Sequence, residues 1–167
     1  MPADQPPLTI RPLGTGDSIT ALTQMLHRAY APLAAQGLRY VATYQSDDVT
    51  RNRIAGGACF VAERHGAICG TILYKSVDKT KGCDWYDRPD VASFGQFGVD
   101  PALQSQGIGR MLLSAVIAAA RADGAAELAL DTAADLIAWY HRLGFRDVGF
   151  AQWSMTNYRS LVMSMTL

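Results

Sequence analysis

The chain has 167 residues, 49% of them hydrophobic, enough to bury one sizeable core and short for two domains. Lysine and arginine number 15 and aspartate and glutamate 15, so no overall field draws the protein to nucleic acid or to a membrane surface. Any charged ligand site must be local, and no apolar run is long enough to span a bilayer.

Residues 1–7 read as a flexible N-terminus and 8–167 as one domain. Met1 to Pro7 has neither the basic start nor the apolar run of a signal peptide, so the expected location is the cytoplasm. Leu8 to Pro12 reads as a strand, and Asp17 or Ser18 caps a helix running toward Tyr30. Ala31 to Ser46 reads as a loop or broken helix, and Asp47 or Asp48 caps a second helix ending near Gly56. Cys59 to Glu63 and Ile68 to Lys75 form a hairpin around His65-Gly66. A polar segment, Ser76 to Asp90, leads to a central strand from Val91 to Val99, whose Gly95 and Gly98 point to a bulge or a close backbone approach by a ligand. The helix opening at Gly107 carries Met111, Leu112, Ala115, Val116 and Ala119 on one face and stops at Gly124. Leu128 to Leu130 gives a buried strand and Ala134 to Leu143 a helix ended by Gly144. Phe145 to Phe150 and Leu161 to Thr166 supply the last strands.

Cys59, Cys69 and Cys83 are odd in number and lack paired metal spacing, and Cys59 and Cys69 lie in apolar runs where free cysteine acts as a small buried hydrophobe. His27, His65 and His141 have no ligand partners at helical spacing, so no metal is expected.

The chemistry concentrates after Val99. A strand ends there, the chain turns through Pro101, and Gly107 and Gly109 open a helix whose unpaired N–H groups and positive dipole end suit a phosphate. A dinucleotide-binding reading, with Asp131 as the ribose acid, meets Leu112 where a third glycine is required. It also meets seven residues between Val99 and Gly107 where a tight turn is needed, and too short a tail. Downstream, Tyr140 is followed by Leu143-Gly144-Phe145. By periodicity alone, Tyr140 packs in a core with Leu136, Trp139 and Leu143.

Together these segments resemble the GNAT superfamily of N-acyltransferases, whose pyrophosphate loop reads Arg or Gln, two residues, Gly, one residue, Gly or Ala. Gln104, Gly107 and Gly109 match it, and Tyr140 with Leu143-Gly144-Phe145 matches the family's later segment. The resemblance is close over residues 91–149. It implies an α/β (α+β) fold, a mixed, twisted central sheet with helices on both faces, and acetyl-CoA as cosubstrate. It also implies that Phe97, Gly98 and Val99, with Gln104, Ser105, Gln106, Gly107, Ile108, Gly109 and Arg110, bind the coenzyme, with Arg110 supplying the charge that Gln104 lacks. Tyr140 then lies beside the coenzyme sulfur, where a phenol can protonate the leaving thiolate.

An alkyl amine with a pKa near ~10.4 is about one part in 10³ neutral at pH 7, so a proton acceptor is needed. Relatives place a Glu on the central strand, but here Ser93 to Val99 contains no acid. Gln96 can position a water, and Glu63, Asp84 and Asp87 are the candidate bases. Backbone N–H groups near Gly98 and Val99, freed by a bulge, are the expected oxyanion donors, and a bulky residue at Gly98 is expected to block the pantetheine arm. Ala133 stands where many relatives carry Asn, which implies either a different contact from Thr132 or Asp135 or reduced activity. Trp85, Tyr86 and the four Asp of the Ser76 to Asp90 loop suit a small cationic or aromatic amine. The function expected is acetyl transfer to a small-molecule or peptide amine by direct attack in a ternary complex. The alternative is a noncatalytic acyl-CoA sensor, motivated by Ala133 and the missing strand acid. A homodimer through Leu161 to Leu167 is the expectation for assembly.

Overall fold

In the computed structural model, which describes residues 6–133 and 135–167, the chain runs β1 (Thr9–Pro12), α1 (Ile19–Ala35), α2 (Asp47–Ala55), β2 (Ala58–Arg64), β3 (Ala67–Lys75) and β4 (Val91–Val99). It continues through α3 (Ile108–Ala122), β5 (Glu127–Thr132), α4 (Ile137–Arg142), β6 (Arg146–Gln152) and β7 (Arg159–Thr166). The element order is the one expected. Of the N-terminus expected to be flexible over residues 1–7, residues 1–5 lie outside the described residues, as does Ala134, where the last helix is expected to start.

The strands form one sheet in the order β1-β2-β3-β4-β5-β7-β6. Every pairing is antiparallel except β4 with β5. Side-chain alternation sorts the core onto two faces. Ala62, Ile72, Phe94, Leu128 and Leu130 point to the face covered by α3 and α4. Cys59, Val61 and Leu73 point to the face covered by α1. Farther along that second face, Val91 and Ala129 pack with Tyr86 from the 76–90 segment. Helices therefore cover both faces of a mixed sheet.

Local differences from the sequence reading have clear causes. Helix α1 runs past Tyr30 to Ala35 with Pro32 inside it, because proline removes one donor from the ladder without ending this last turn. Ser46, not Asp47 or Asp48, caps α2, its hydroxyl accepting from the Val49 N–H; the two aspartates sit in the first turn, where the helix dipole favours them. The buried stripe of α3 is Ile108, Leu112, Leu113, Val116 and Ala120, rotated from the expected one, and Met111 is 43% exposed. Gly70 sets that rotation by letting Ile108 and Leu112 press onto β3, where a Cβ would come within 3.0 Å of Leu112. Helix α4 is six residues long, starting after turns rather than near 134. Cys59 and Cys69 are buried, as expected. Strand β7 lies inside the sheet, between β5 and β6, with Ser160, Val162, Met163 and Ser164 buried. Val162 and Met163 belong to the protein's own core, and Leu161, Met165 and Leu167 pack against it partly buried.

Candidate active site

Strands β4 and β5 hold register only at Val91 with Glu127, Ala92 with Leu128 and Ser93 with Ala129. Beyond these positions they part, and a cleft of about 1260 Å³ opens between them. On the other side of β4, Gly95 faces Leu73 and Gly98 faces Thr71, so β4 carries one extra residue there. The bulge sits at Gln96, whose φ is +46°. Gly98 and Val99 stay in register with Thr71 and Gly70, so the expected bulge at 98–99 moves to 96–97. The two glycines serve close approaches instead. A Cβ on Gly98 would come within 3.0 Å of Ala29 and 3.4 Å of the Tyr30 ring, so a bulky residue there strikes α1 before it reaches the cleft. Gly95 leaves room for the Arg53 guanidinium, 4.0 Å from where its Cβ would lie.

One end of the cleft is the N-terminus of α3. Gly107 caps it with φ +82°, a conformation that favours glycine, and the preceding loop is braced from within. The Asp100 carboxylate accepts from the Ala102 N–H and pairs with Arg28 at 3.0 Å. The Gln104 amide donates to the Val99 carbonyl at 3.3 Å. Phe97, Gly98, Val99, Gln104, Ser105, Gly107, Ile108, Gly109 and Arg110 all line the cleft. Gln106 does not; its side-chain carbonyl accepts from Arg64 at 2.8 Å on the outside of the loop.

Tyr140 packs in the core, as its periodicity predicts. Its ring is buried, with centroids 5.1 Å from Trp139, 5.5 Å from Phe145 and 6.2 Å from Phe94. It also lines the cleft, and its hydroxyl makes no hydrogen bond among the described residues. Burial pushes this phenol well above its ordinary range, with Tyr30, Tyr40 and Asp131 adding to the effect.

The other end of the cleft opens on the α1 face. Asp131, on the same face as Ala129 by strand alternation, lines it and accepts from Tyr86 Oη and Trp153 Nε1, each at 2.8 Å. None of the acids expected as a base is here. Glu63 pairs with Arg11, and Asp84 and Asp87 are exposed and do not line the cleft. From the 76–90 loop, Lys79, Thr80, Lys81 and Tyr86 line the cleft, and its aspartates do not. The expectation of a site suited to a cationic amine is reversed on that side. Sequence reading weighed Asp131 only as a ribose acid; an acid at the open end of a strand that follows an apolar run was the available signal.

Arg53 and Lys75 also line the cleft, and neither has a carboxylate within salt-bridge distance among the described residues. Burial lowers both from their ordinary values, and Arg53 lowers Lys75 further. Arg53 Nη1 donates to Gln45 Oε1 at 2.7 Å, and Gln45 Nε2 donates to Gln96 Oε1 at 3.1 Å. Gln96 is 3% exposed, and its Nε2 has no partner among the described residues. Tyrosines roof this end. Tyr30 donates to the Phe97 carbonyl at 2.8 Å, and burial pushes its phenol up to about 12. Tyr40 stacks on Tyr158 at 4.6 Å, and Tyr44 donates to the Met155 carbonyl at 3.0 Å.

Among the described residues, no group of three or more His, Cys, Asp or Glu could hold a metal ion, and no helix is long and apolar enough to cross a membrane.

The GNAT acetyltransferase family model matches residues 20–145. The S-(2-succino)cysteine N-acetyltransferase of Bacillus subtilis is 33% identical over 95 residues, 55% of this chain and 53% of that protein, so the chain spans about half the length of the curated relative it matches. Among solved structures, the ribosomal-protein-S18-alanine N-acetyltransferase of Escherichia coli superposes with a TM-score of 0.71 at 22% identity, covering 96% of this chain and 94% of that one. A GNAT family acetyltransferase from Elizabethkingia anophelis with acetyl-CoA bound gives 0.65 at 18%, covering 96% and 98%. These structural likenesses are of fold. With the family model matched across both the glycine loop and the tyrosine segment, the chain belongs to the GNAT acetyltransferase family.

Proposed function

We propose that the protein transfers the acetyl group of acetyl-CoA to a primary amine of a small-molecule or peptide acceptor, by direct attack in a ternary complex. The observation that carries this reading is the parting of β4 from β5. It joins the α3 N-terminus, the Tyr140 phenol and Asp131 from the opposite face in one cleft.

The helix N-terminus and Arg110 receive the pyrophosphate of coenzyme A, and the pantetheine arm enters along β4. The amine comes from the α1 face. Its nitrogen attacks the thioester carbon, the C–S bond breaks, and Tyr140 gives its proton to the leaving thiolate, to be reprotonated from solvent. A phenol held above its ordinary range is protonated at neutral pH and so stays a donor. Asp131 accepts the proton lost by the amine, directly or through water. Tyr86 and Trp153 fix the orientation of its carboxylate. Backbone N–H groups at the Gln96 bulge are our assignment for the oxyanion donors.

The test is release of coenzyme A thiol from acetyl-CoA against amino acids, polyamines, arylalkylamines and short peptides with free N-termini. Turnover with one class, falling about 10²-fold or more in Asp131→Asn while acetyl-CoA affinity holds, is the expected result. Acetyl-CoA binding with no turnover of any amine would leave the acyl-CoA sensor in its place.

A further inference from the structure

We infer that the acceptor amine carries its own carboxylate, and that Arg53 and Lys75 seat that carboxylate, with the unpaired Gln96 amide as a third donor. The inference rests on the acetyltransferase reading above and names the acceptor's chemical class.

The argument begins with position. Lys75 stands opposite Ser93, and Arg53 lies over Gly95, two residues farther along the same strand. The pyrophosphate end lies past Val99. From Ser93 to Val99 is six residues, roughly 20 Å of strand, and from Gly95 it is four, roughly 13 Å, so Lys75 and Arg53 both stand well short of the coenzyme phosphates. They belong to the acceptor's end of the cleft.

Charge and hydrogen bonding then limit what can bind. Arg53 and Lys75 are both partly buried, and Asp131 is the nearby carboxylate, already held by Tyr86 and Trp153. Two partly buried cations against one anion leave one positive charge unbalanced at this end of the cleft, which is costly. A neutral attacking amine with a carboxylate attached brings that sum to zero. The guanidinium is held by Gln45, and the same glutamine fixes Gln96 so that its Nε2, buried and unpartnered, remains available. A planar guanidinium, an ammonium and an amide N–H group match the lone pairs of one carboxylate. Lys79 and Lys81 on the cleft wall extend the positive potential toward an incoming anion. Asp131 at the other pole suits the amine, so the two poles together describe an amino acid.

The experiment compares each of a panel of L-amino acids, including glutamate, aspartate and S-carboxymethylcysteine, with its carboxamide, and β-alanine with 2-aminoethylphosphonate. The readouts are coenzyme A release and calorimetric binding to the coenzyme-A-loaded protein. The expected result is a kcat/KM for the best acid about 10- to 100-fold above that of its amide. That ratio collapses toward one in Arg53→Gln and in Lys75→Gln, mainly through KM. Lys75 is outside the Gln45 network, so its variant stands as evidence even if Arg53→Gln fails to fold. Equal turnover of acids and amides, preference for polyamines, or preference for the phosphonate would overturn the inference while leaving the acetyltransferase reading intact. Carboxylate binding that depends on Arg53 and Lys75 without any turnover would support the inference and sink that reading. No binding and no turnover of any acid would overturn the inference.

Discussion

The backbone N–H of Ala133 donates to the hydroxyl of Tyr40 at 3.0 Å, joining the open end of β5 to the segment that follows α1. The Tyr40 hydroxyl also lies 3.4 Å from Thr132 Oγ1. A tyrosine from far earlier in the chain thus fastens the backbone at Ala133. Replacing Tyr40 with Phe keeps the stacking on Tyr158 and removes this bond. The expected cost is about 1 kcal/mol of stability, with a several-fold rise in acceptor KM; thermal melts and steady-state kinetics would check both. An unchanged KM would deny the Tyr40 contact any part in shaping the cleft.

Tyr140→Phe should lower kcat about 10²- to 10⁴-fold while leaving acetyl-CoA affinity within about threefold, because the ring packing survives and only the proton donor is lost. Burial raises this phenol's proton affinity, so in the wild type it remains protonated beyond its ordinary range. The kcat profile should therefore show no fall due to this group up to about pH 9. A descending limb near pH 8 that vanishes in the Phe variant would contradict the assignment.

Gly98→Val places a side chain against α1, where Ala29 and Tyr30 are already in contact range. Overpacking of this kind costs about 1–3 kcal/mol. Melting should drop in the absence of any coenzyme, which separates this account from one in which the side chain only obstructs the pantetheine arm. A variant with wild-type melting and lost coenzyme binding would favour obstruction.

The Arg11 guanidinium beside Asp17 holds that carboxyl down at about 2, with the Gly14 N–H adding a second bond. A depressed folded-state pKa gives stability that is present above the unfolded value of about 3.8 and is lost as the pH falls toward 2. Wild type and Arg11→Met should differ in melting temperature above about pH 4.5, and the difference should shrink between about pH 4 and 2. A constant difference across that window would show that the ion pair is not its source.

Much of the geometry at the α3 end of the cleft was legible because its signals are local. Gly107 at a positive φ, the helix it opens and the Tyr140 to Phe145 segment each depend on residues within a few positions. The helix face of α3 was misjudged by a residue because apolar alanines and Met111 blur the stripe, and only Gly70 on a distant strand settles the rotation. The bulge was anticipated on β4 but assigned to glycine, whereas the left-handed residue is Gln96. The acceptor end resisted reading for a different reason. Arg53, Lys75 and Asp131 come from α2, β3 and β5 and meet only through the sheet order, and no spacing along the chain announces them.

Asn157 accepts from the Arg39 N–H at 2.7 Å and donates to the Gly37 carbonyl at 2.8 Å, and Tyr44 bonds Met155 beside it. The roof of the acceptor end is thus a two-piece clasp whose halves lie more than a hundred residues apart. Anyone transplanting acceptor preference between relatives would have to move residues 36–46 and 153–158 as a matched pair. A graft of either half alone would leave the Asn157 amide facing a loop it no longer fits, and the clasp would stand open.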